Sequence, residues 1–159
     1  LSDLDAVKKM LEEIDSFGVE VDIVLNNAGM QIAYRTDYFA TPVEDYTESF
    51  KINTVAPAMI CYHFLPKMIK KGFGRILNTT SGIRLEPEQA GYSASKAALD
   101  KITIDLGSKI NGTDVMINLT EPAERRYSRF WTTTVRLKCI RDRTKSKSSF
   151  FMAEGSFYA

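Results

Sequence analysis

Residues 21–29, VDIVLNNAG, carry the pattern that decides the fold: a short apolar run, Ile23 to Leu25, ends in a turn of small polar residues. Continuous apolarity over so few residues is typical of a strand covered on both faces, and hence of a parallel sheet. Two further runs of this kind follow, RILNTTS (75–81) and DVMINLTEP (114–122), the last stopped by Pro122. The sequence therefore predicts three buried strands.

Helical patterns alternate with these strands. The first, residues 1–18, has an apolar stripe and the start signal of a capping box at Ser2 and Asp5, with Gly18 as its stop. The last begins at about Tyr92 and ends at Lys109, before the turn at Asn111 and Gly112. Helices alternating with buried strands predict an α/β fold, part of a Rossmann-type doubly wound parallel sheet.

The middle helix is predicted to be the longest, from about Pro42 to Lys71. Thr41 is its expected cap and Glu44 closes a second capping box. Pro57 is expected to bend the helix or to remove one backbone hydrogen bond. Glycines at positions 72 and 74 end it.

Composition describes an ordinary globular protein of one domain. The chain has 159 residues, of which 44% are apolar and 26% charged, and its net charge is +1. This balance favours neither a nucleic acid nor a membrane as partner, and no apolar run approaches the ~20 residues of a membrane span. Cys61 and Cys139 lie far apart, which favours a reducing, cytoplasmic compartment over a disulfide framework. No metal site is predicted.

The chain changes character at Pro122. Residues 123–159 hold nine Lys or Arg against three Asp or Glu, so the first 122 hold twelve against seventeen. The formal charge is therefore +6 in the tail and −5 before it. Because the tail has weak periodicity, we predict a basic, irregular segment that is foreign to the fold or out of frame. The start inside a helical pattern, without Met, also predicts missing N-terminal residues.

A tyrosine and a lysine, Tyr92 and Lys96, are four residues apart in GYSASKAALD (91–100). On a helix their Cβ atoms lie about 5–6 Å apart on one face. A free phenol has a pKa of about 10, and a neighbouring ammonium favours the phenolate, which makes the phenol a usable acid or base. The spacing alone is weak, since a solvated helix face is equally compatible with it.

Polar residues at the strand ends strengthen this interpretation, because ligands bind at the carboxyl ends of parallel strands. One such end carries the turn 26–29, where Ala28 and Gly29 allow a close approach. The next carries three hydroxyls that could hold a substrate oxygen near Tyr92: Thr79, Thr80 and Ser81.

Together, the motifs NNAG, NTTS and YSASK, with FKINTVAP in the long helix, resemble the classical short-chain dehydrogenase/reductases over about residues 1–122. The resemblance implies hydride transfer between NAD or NADP and a small alcohol or carbonyl substrate. It implies that Tyr92 is the general acid/base and contacts the cofactor, that Lys96 binds the nicotinamide ribose and assists catalysis by lowering the pKa of the tyrosine, and that Ser81 orients the substrate. Asn53 would break the helix and hold a water that relays protons. Three residues would line the adenosine side of the cofactor: Asn27, Ala28 and Gly29.

The sequence departs from the family in three places. No G-x-x-x-G-x-G motif occurs, so the first strands and the phosphate loop are expected to be missing. The Ser81–Tyr92 spacing is about two residues shorter than the family's commonest form, and Thr79 has the commoner spacing. Pro122 is followed by Ala123 rather than the usual glycine.

Two alternatives remain beside a dehydrogenase: a catalytically silent fragment, and a sugar-nucleotide epimerase or dehydratase, which shares the Tyr–Lys spacing. The resemblance further implies a homodimer or homotetramer of the full-length parent, paired through the helices at 42–71 and 92–109.

Overall fold

The computed structural model describes residues 1–32, 36–82, 84–85, 89–123 and 134–139. The elements follow in chain order: α1 Leu4–Ser16, β1 Ile23–Asn26, a 3-10 turn Tyr38–Ala40, α2 Val43–Phe50, a π-helical segment Lys51–Val55, α3 Ala56–Lys71, β2 Gly74–Thr79, α4 Ala90–Lys109, β3 Val115–Ala123 and β4 Thr134–Cys139. Among these helices, none is both long and apolar enough to cross a membrane.

The four strands form one sheet in the order β1-β2-β3-β4, and the first three are parallel. The predicted parallel, Rossmann-type sheet is thus confirmed. Two details were wrong. Strand β3 continues through Pro122 to Ala123, and Thr134–Cys139 in the tail is not irregular but pairs antiparallel with β3. The edge of β3 offers unpaired backbone groups, and TVRLKC contains the β-branched residues that suit a strand. The other tail residues lie outside the described part of the chain.

The core lies between the sheet and one layer of helices. Val24, Ile76 and Ile117 are aligned across the three parallel strands, are buried, and belong to one apolar cluster with residues of α1 and α3. Ile23 and Leu25 point to the opposite face and are 61% and 66% exposed. The described residues therefore cover only one face of β1, as expected for an incomplete sheet.

Both predicted capping boxes were wrong, although the helices were not. Asp3, not Ser2, caps α1, because its carboxylate accepts hydrogen bonds from the Asp5 and Ala6 amides. Pro42, not Thr41, is the N-cap of α2, and it forms no side-chain hydrogen bond there. At the start of α1, both Ser2 and Asp3 have short polar side chains that can cap a helix. Only the backbone conformation decides which of the two residues is the N-cap.

The predicted long helix is not uniformly α-helical. Its middle, Lys51–Val55, is a π-helix, and α3 then begins at Ala56 with Pro57 in its first turn. The irregularity thus precedes Pro57. The proline itself lies in the first turn of α3, where its missing N–H and its fixed φ are tolerated. The helix ends as predicted at Gly72, whose φ of 87° is left-handed and whose amide bonds back to Met68 and Ile69.

Helices α2 and α4 touch at Gly91, which leads to a first prediction. A Cβ at this position would lie 2.8 Å from the Cα of Tyr46 and 2.9 Å from the carbonyl oxygen of Asp45, both backbone atoms. We expect Gly91→Ala to lower the free energy of unfolding by ~1–3 kcal/mol, because overpacking against backbone forces the helices apart. Urea unfolding measures this, with Ser108→Ala on the exposed part of α4 as control. An unchanged stability would contradict the close packing.

Candidate active site

The carboxyl ends of β1 and β2 meet at one edge of the sheet. Because Asn26 is aligned with Asn78, the residues that follow the two strands are neighbours. The Thr79 hydroxyl donates a hydrogen bond to Oδ1 of Asn27 across 3.0 Å. Asn27, Ala28 and Gly29 are exposed, so this edge is open to a ligand on the side of β1.

Lys96 lies at the centre of this edge. The residue is only 3% exposed, and its Nζ donates to the carbonyl oxygen of Thr79 across 2.8 Å. The same Nζ lies 3.2 Å from the position that a Cβ on Gly29 would occupy. Gly29 therefore makes room for the lysine amine itself, in addition to any ligand. Burial lowers the pKa of Lys96, because desolvation disfavours the ammonium, and the Asp100 carboxylate opposes this by raising it.

Asn53 joins three elements at the same edge. It is fully buried in the π-helical segment, and its amide exchanges two hydrogen bonds of 2.8 Å with the backbone N–H and carbonyl of Met30. Its Nδ2 also donates to Oγ of Ser95 across 3.0 Å. Asn53 thus ties the loop after β1 to α4. The local break in helical geometry agrees with the expectation, and the water relay stays a prediction.

The first turn of α4 is held by two further hydrogen bonds. Oγ of Ser95 donates to the Tyr92 carbonyl, and Oγ1 of Thr54 donates to the Ser95 carbonyl, each across 2.7 Å. Tyr92 is half-buried on this turn. No hydrogen bond of the described residues joins its hydroxyl to Lys96, whose amine bonds Thr79 instead. Any influence of the ammonium on the phenol therefore acts through space.

Ser81 is half-buried just past β2. Its carbonyl accepts a 2.8 Å hydrogen bond from Nη1 of Arg84, and the Arg84 backbone N–H approaches the same oxygen at 3.3 Å. Of the other two hydroxyls at this strand end, Thr80 is buried and Thr79 bonds Asn27. Thr80 is therefore withdrawn from solvent, and the Thr79 hydroxyl is engaged by the turn after β1.

A buried polar network lies directly below the edge. Asn26 donates to Asn78 across 2.7 Å, and Asn78 donates to Oγ1 of Thr103 across 2.8 Å. Both amides also contact Sγ of Cys61. Burial raises the pKa of the Cys61 thiol to about 11, and the two asparagine hydrogen bonds act in the opposite direction. Asn26 is thus a core residue, not a turn residue as its place in NNAG had indicated.

Several of these residues were not singled out by the sequence. Ser95 and Thr54 lie inside or beside quoted motifs, but their role depends on how two helices meet. Arg84 gives no local signal. Asp100 could have been found, because it follows Lys96 by the same four residues that separate Lys96 from Tyr92.

Comparison with known proteins gives the class. The family model for short chain dehydrogenases matches residues 1–132, so the chain belongs to the short-chain dehydrogenase family. It is 32% identical over 124 residues to the uncharacterized oxidoreductase YvrD of Bacillus subtilis (strain 168). This match covers 77% of this chain and 46% of YvrD. It is 31% identical over 120 residues to the 3-oxoacyl-[acyl-carrier-protein] reductase FabG of Aquifex aeolicus (strain VF5), with 74% and 48% covered.

The fold agrees with solved structures. A 4-hydroxyisoleucine dehydrogenase complexed with NADH superposes with a TM-score of 0.71 at 25% identity, covering 79% of this chain and 56% of the dehydrogenase chain. A metagenomic short-chain oxidoreductase in complex with NADP gives a TM-score of 0.70 at 24% identity, with 78% and 57% covered. The chain thus spans about half the length of the proteins that it resembles.

Proposed function

We propose that the protein is, or derives from, an NAD(P)-dependent oxidoreductase that interconverts an alcohol and a carbonyl compound of low molecular weight. The observation that carries this proposal is the buried amine of Lys96, held between Thr79 and Gly29 at the open edge of the parallel sheet. The relatives are oxidoreductases, and two structural neighbours are described with NADH and NADP.

The residues at this edge fit a nicotinamide cofactor. An ammonium has three N–H donors, and among the described residues only the Thr79 carbonyl uses one, which leaves two for ribose hydroxyls. Asn27, Ala28 and Gly29 offer exposed backbone and small side chains along β1 for the adenosine side. The cofactor, NAD or NADP, supplies the hydride when bound.

The chain's own residues hold the substrate and move the proton. The Tyr92 hydroxyl donates a proton to the carbonyl oxygen, or accepts one from the alcohol in the reverse direction. The Lys96 amine, one turn along the helix, would hold the nicotinamide ribose beside the phenol. Ser81 orients the substrate oxygen, and Asn53 keeps the loop after β1 in register with α4 and holds the relay water.

A second candidate is a catalytically silent fragment. It is favoured by the missing glycine-rich motif and by the exposed apolar side chains of Ile23 and Leu25 on β1. A helix N-terminus with free backbone N–H groups binds pyrophosphate in dinucleotide folds, and its loss weakens cofactor affinity. In this view residues 1–122 are the C-terminal part of the dehydrogenase domain, and residues 123–159 are a basic tail of separate origin that joins the sheet only through Ala123 and Thr134–Cys139 among its described residues.

The parent protein is proposed to be a cytoplasmic homodimer or homotetramer. An open groove between α1, α3 and α4 has an apolar lining suited to pairing of helices: Leu11, Val55, Ala58, Met59, Tyr62 and Ile102. Val55 and Tyr62 are exposed there.

Cofactor titration separates the two candidates. We expect NADPH or NADH to bind the full chain saturably, at millimolar concentration or below, when followed by cofactor fluorescence. Lys96→Met should weaken binding by at least about 10- to 100-fold, because even one hydrogen bond to a charged group contributes about 1.5–3 kcal/mol. Lys109→Met, at the exposed end of the same helix, is the control. No saturation, in a chain shown by urea unfolding to be folded, would favour the silent fragment.

A further inference from the structure

The face of α4 that carries Tyr92 and Lys96 continues to Asp100. The three residues are spaced by four, so their side chains follow one another along the helix. The Asp100 side chain is only 15% exposed. One of its oxygens, Oδ2, is paired with Nε of Arg84, whereas Oδ1 is buried without a hydrogen-bond partner among the described residues. Burying a carboxylate oxygen without a hydrogen bond costs free energy, and nearby positive charges offset this cost.

Arg84 connects Asp100 with the loop that carries Ser81. Its guanidinium pairs with Asp100 on α4, approaches Oε2 of Glu121 on β3 at 3.4 Å, and donates to the Ser81 carbonyl. Glu121 also lies against this loop, since a Cβ on Gly82 would lie 2.6 Å from its Oε1. One cation thus joins the three elements that surround the site.

In the ion pairs that the described residues form here, one cation serves two carboxylates. Arg84 contributes +1 against −1 each from Asp100 and Glu121, and its side chain is 23% exposed. The other titratable groups on the elements packed here are Lys96 and Tyr92 on α4 and Arg136 on β4, which is aligned with Glu121 in the sheet, while the π-helical segment contributes the neutral amide of Asn53. Asp100 is the carboxylate that follows the buried amine of Lys96 by one turn on the same helix.

We propose that Asp100 is the charge partner of Lys96. Arg84 competes with Lys96 for this carboxylate and links it to the loop that carries Ser81. Both are positioning residues: neither touches the reacting atoms, but together they set the charge of the amine and the place of the serine. The consequence for catalysis rests on the proposed function, since it concerns the lysine that would bind the ribose. The direction in which Asp100 changes the pKa of Lys96 agrees with the geometry.

The test is the titration of the Lys96 amine in the full chain, followed by NMR of isotope-labelled lysine and assigned by its loss in Lys96→Met. Asp100→Asn should move the midpoint to lower pH, because the ammonium loses its negative neighbour. Arg84→Gln should move it to higher pH, because a competing cation is removed. Asp105→Asn is the matched control, since Asp105 pairs with Lys101 on the exposed side of α4 and should leave the midpoint unchanged.

Urea unfolding first establishes that each variant is folded. Midpoints that stay unchanged, or that move in the same direction in both variants, overturn the proposal. If Asp100→Asn does not fold, Arg84→Gln decides: a rise supports the proposal, and an unchanged or lower midpoint overturns it. Because the titration needs no cofactor, its outcome is independent of whether NADPH binds.

Discussion

Replacing Tyr92 by phenylalanine is expected to reduce carbonyl reduction by about 10²- to 10⁴-fold, the range that a positioned general acid contributes. The change removes one oxygen and leaves the ring, the α4 backbone and the carbonyl that accepts from Ser95 in place. The hydrogen bonds of Lys96 and Asn53 do not involve the phenol. We therefore expect the Kd for NADPH to change by less than about threefold.

The measurement is NADPH oxidation with a reactive carbonyl probe such as 4-nitrobenzaldehyde. The control is Tyr62→Phe, which alters a tyrosine that is 65% exposed on α3 and should leave the rate unchanged. A Tyr92→Phe chain that turns over at the original rate would remove the phenol from the mechanism. Loss of cofactor binding together with turnover would instead give Tyr92 a role in the fold of the site.

Replacing Asn78 by alanine should cause the largest loss of stability. Asn78 is fully buried, accepts from Asn26 and donates to Thr103, so one side chain links β1, β2 and α4. Alanine leaves the Asn26 amide and the Thr103 hydroxyl without this partner and creates a cavity. The Thr103 hydroxyl keeps its donation to the Leu99 carbonyl, so the cost falls mainly on the Asn26 amide and on the cavity. A buried polar group that loses its partner costs ~1–3 kcal/mol, and with the cavity we expect a total of about 3 kcal/mol. That is a large share of the roughly 5–15 kcal/mol of a typical domain.

Urea unfolding of Asn78→Ala tests this expectation, with Asn118→Ala on β3 as the matched control. Asn118 is half-buried and should cost less than about 1 kcal/mol. Equal losses in the two variants would mean that the buried network contributes little. Because Thr79, the next residue after Asn78, supplies the carbonyl that holds Lys96, we also expect Asn78→Ala to weaken cofactor binding.

The strands and helices were predictable because their signals are local. Short apolar runs mark β1, β2 and β3, and the stripe Leu4 to Ile14 marks α1. Two kinds of feature could not be predicted: the choice of cap between adjacent residues of similar chemistry, and features that depend on tertiary contacts. Ser2 and Asp3 compete for one cap, and Asn26 belongs to the core only because Asn78 lies opposite in the neighbouring strand. The pairing of β4 with β3 depends on an edge that the tail's own sequence does not reveal.

The sequence suggested residues for the candidate site, but not the contacts that those residues make. The motifs led to Lys96, Asn53 and Gly29, which the structure brings together. The parts played by Ser95 and Arg84 arise from the meeting of α4 with the π-helical segment and with the loop after β2. Such contacts join residues that are far apart in the sequence, and no periodic pattern in the sequence indicates them.

The central claim is that the corner formed by Gly29, Thr79 and Lys96 holds the nicotinamide ribose. The most direct measurement is an NMR experiment on the full chain saturated with NADPH, in which intermolecular NOEs locate the ribose protons. We predict contacts to the α-protons of Gly29 and to the ε-protons of Lys96, which the structure places side by side. Saturable binding whose contacts all fall on other residues would contradict the claim.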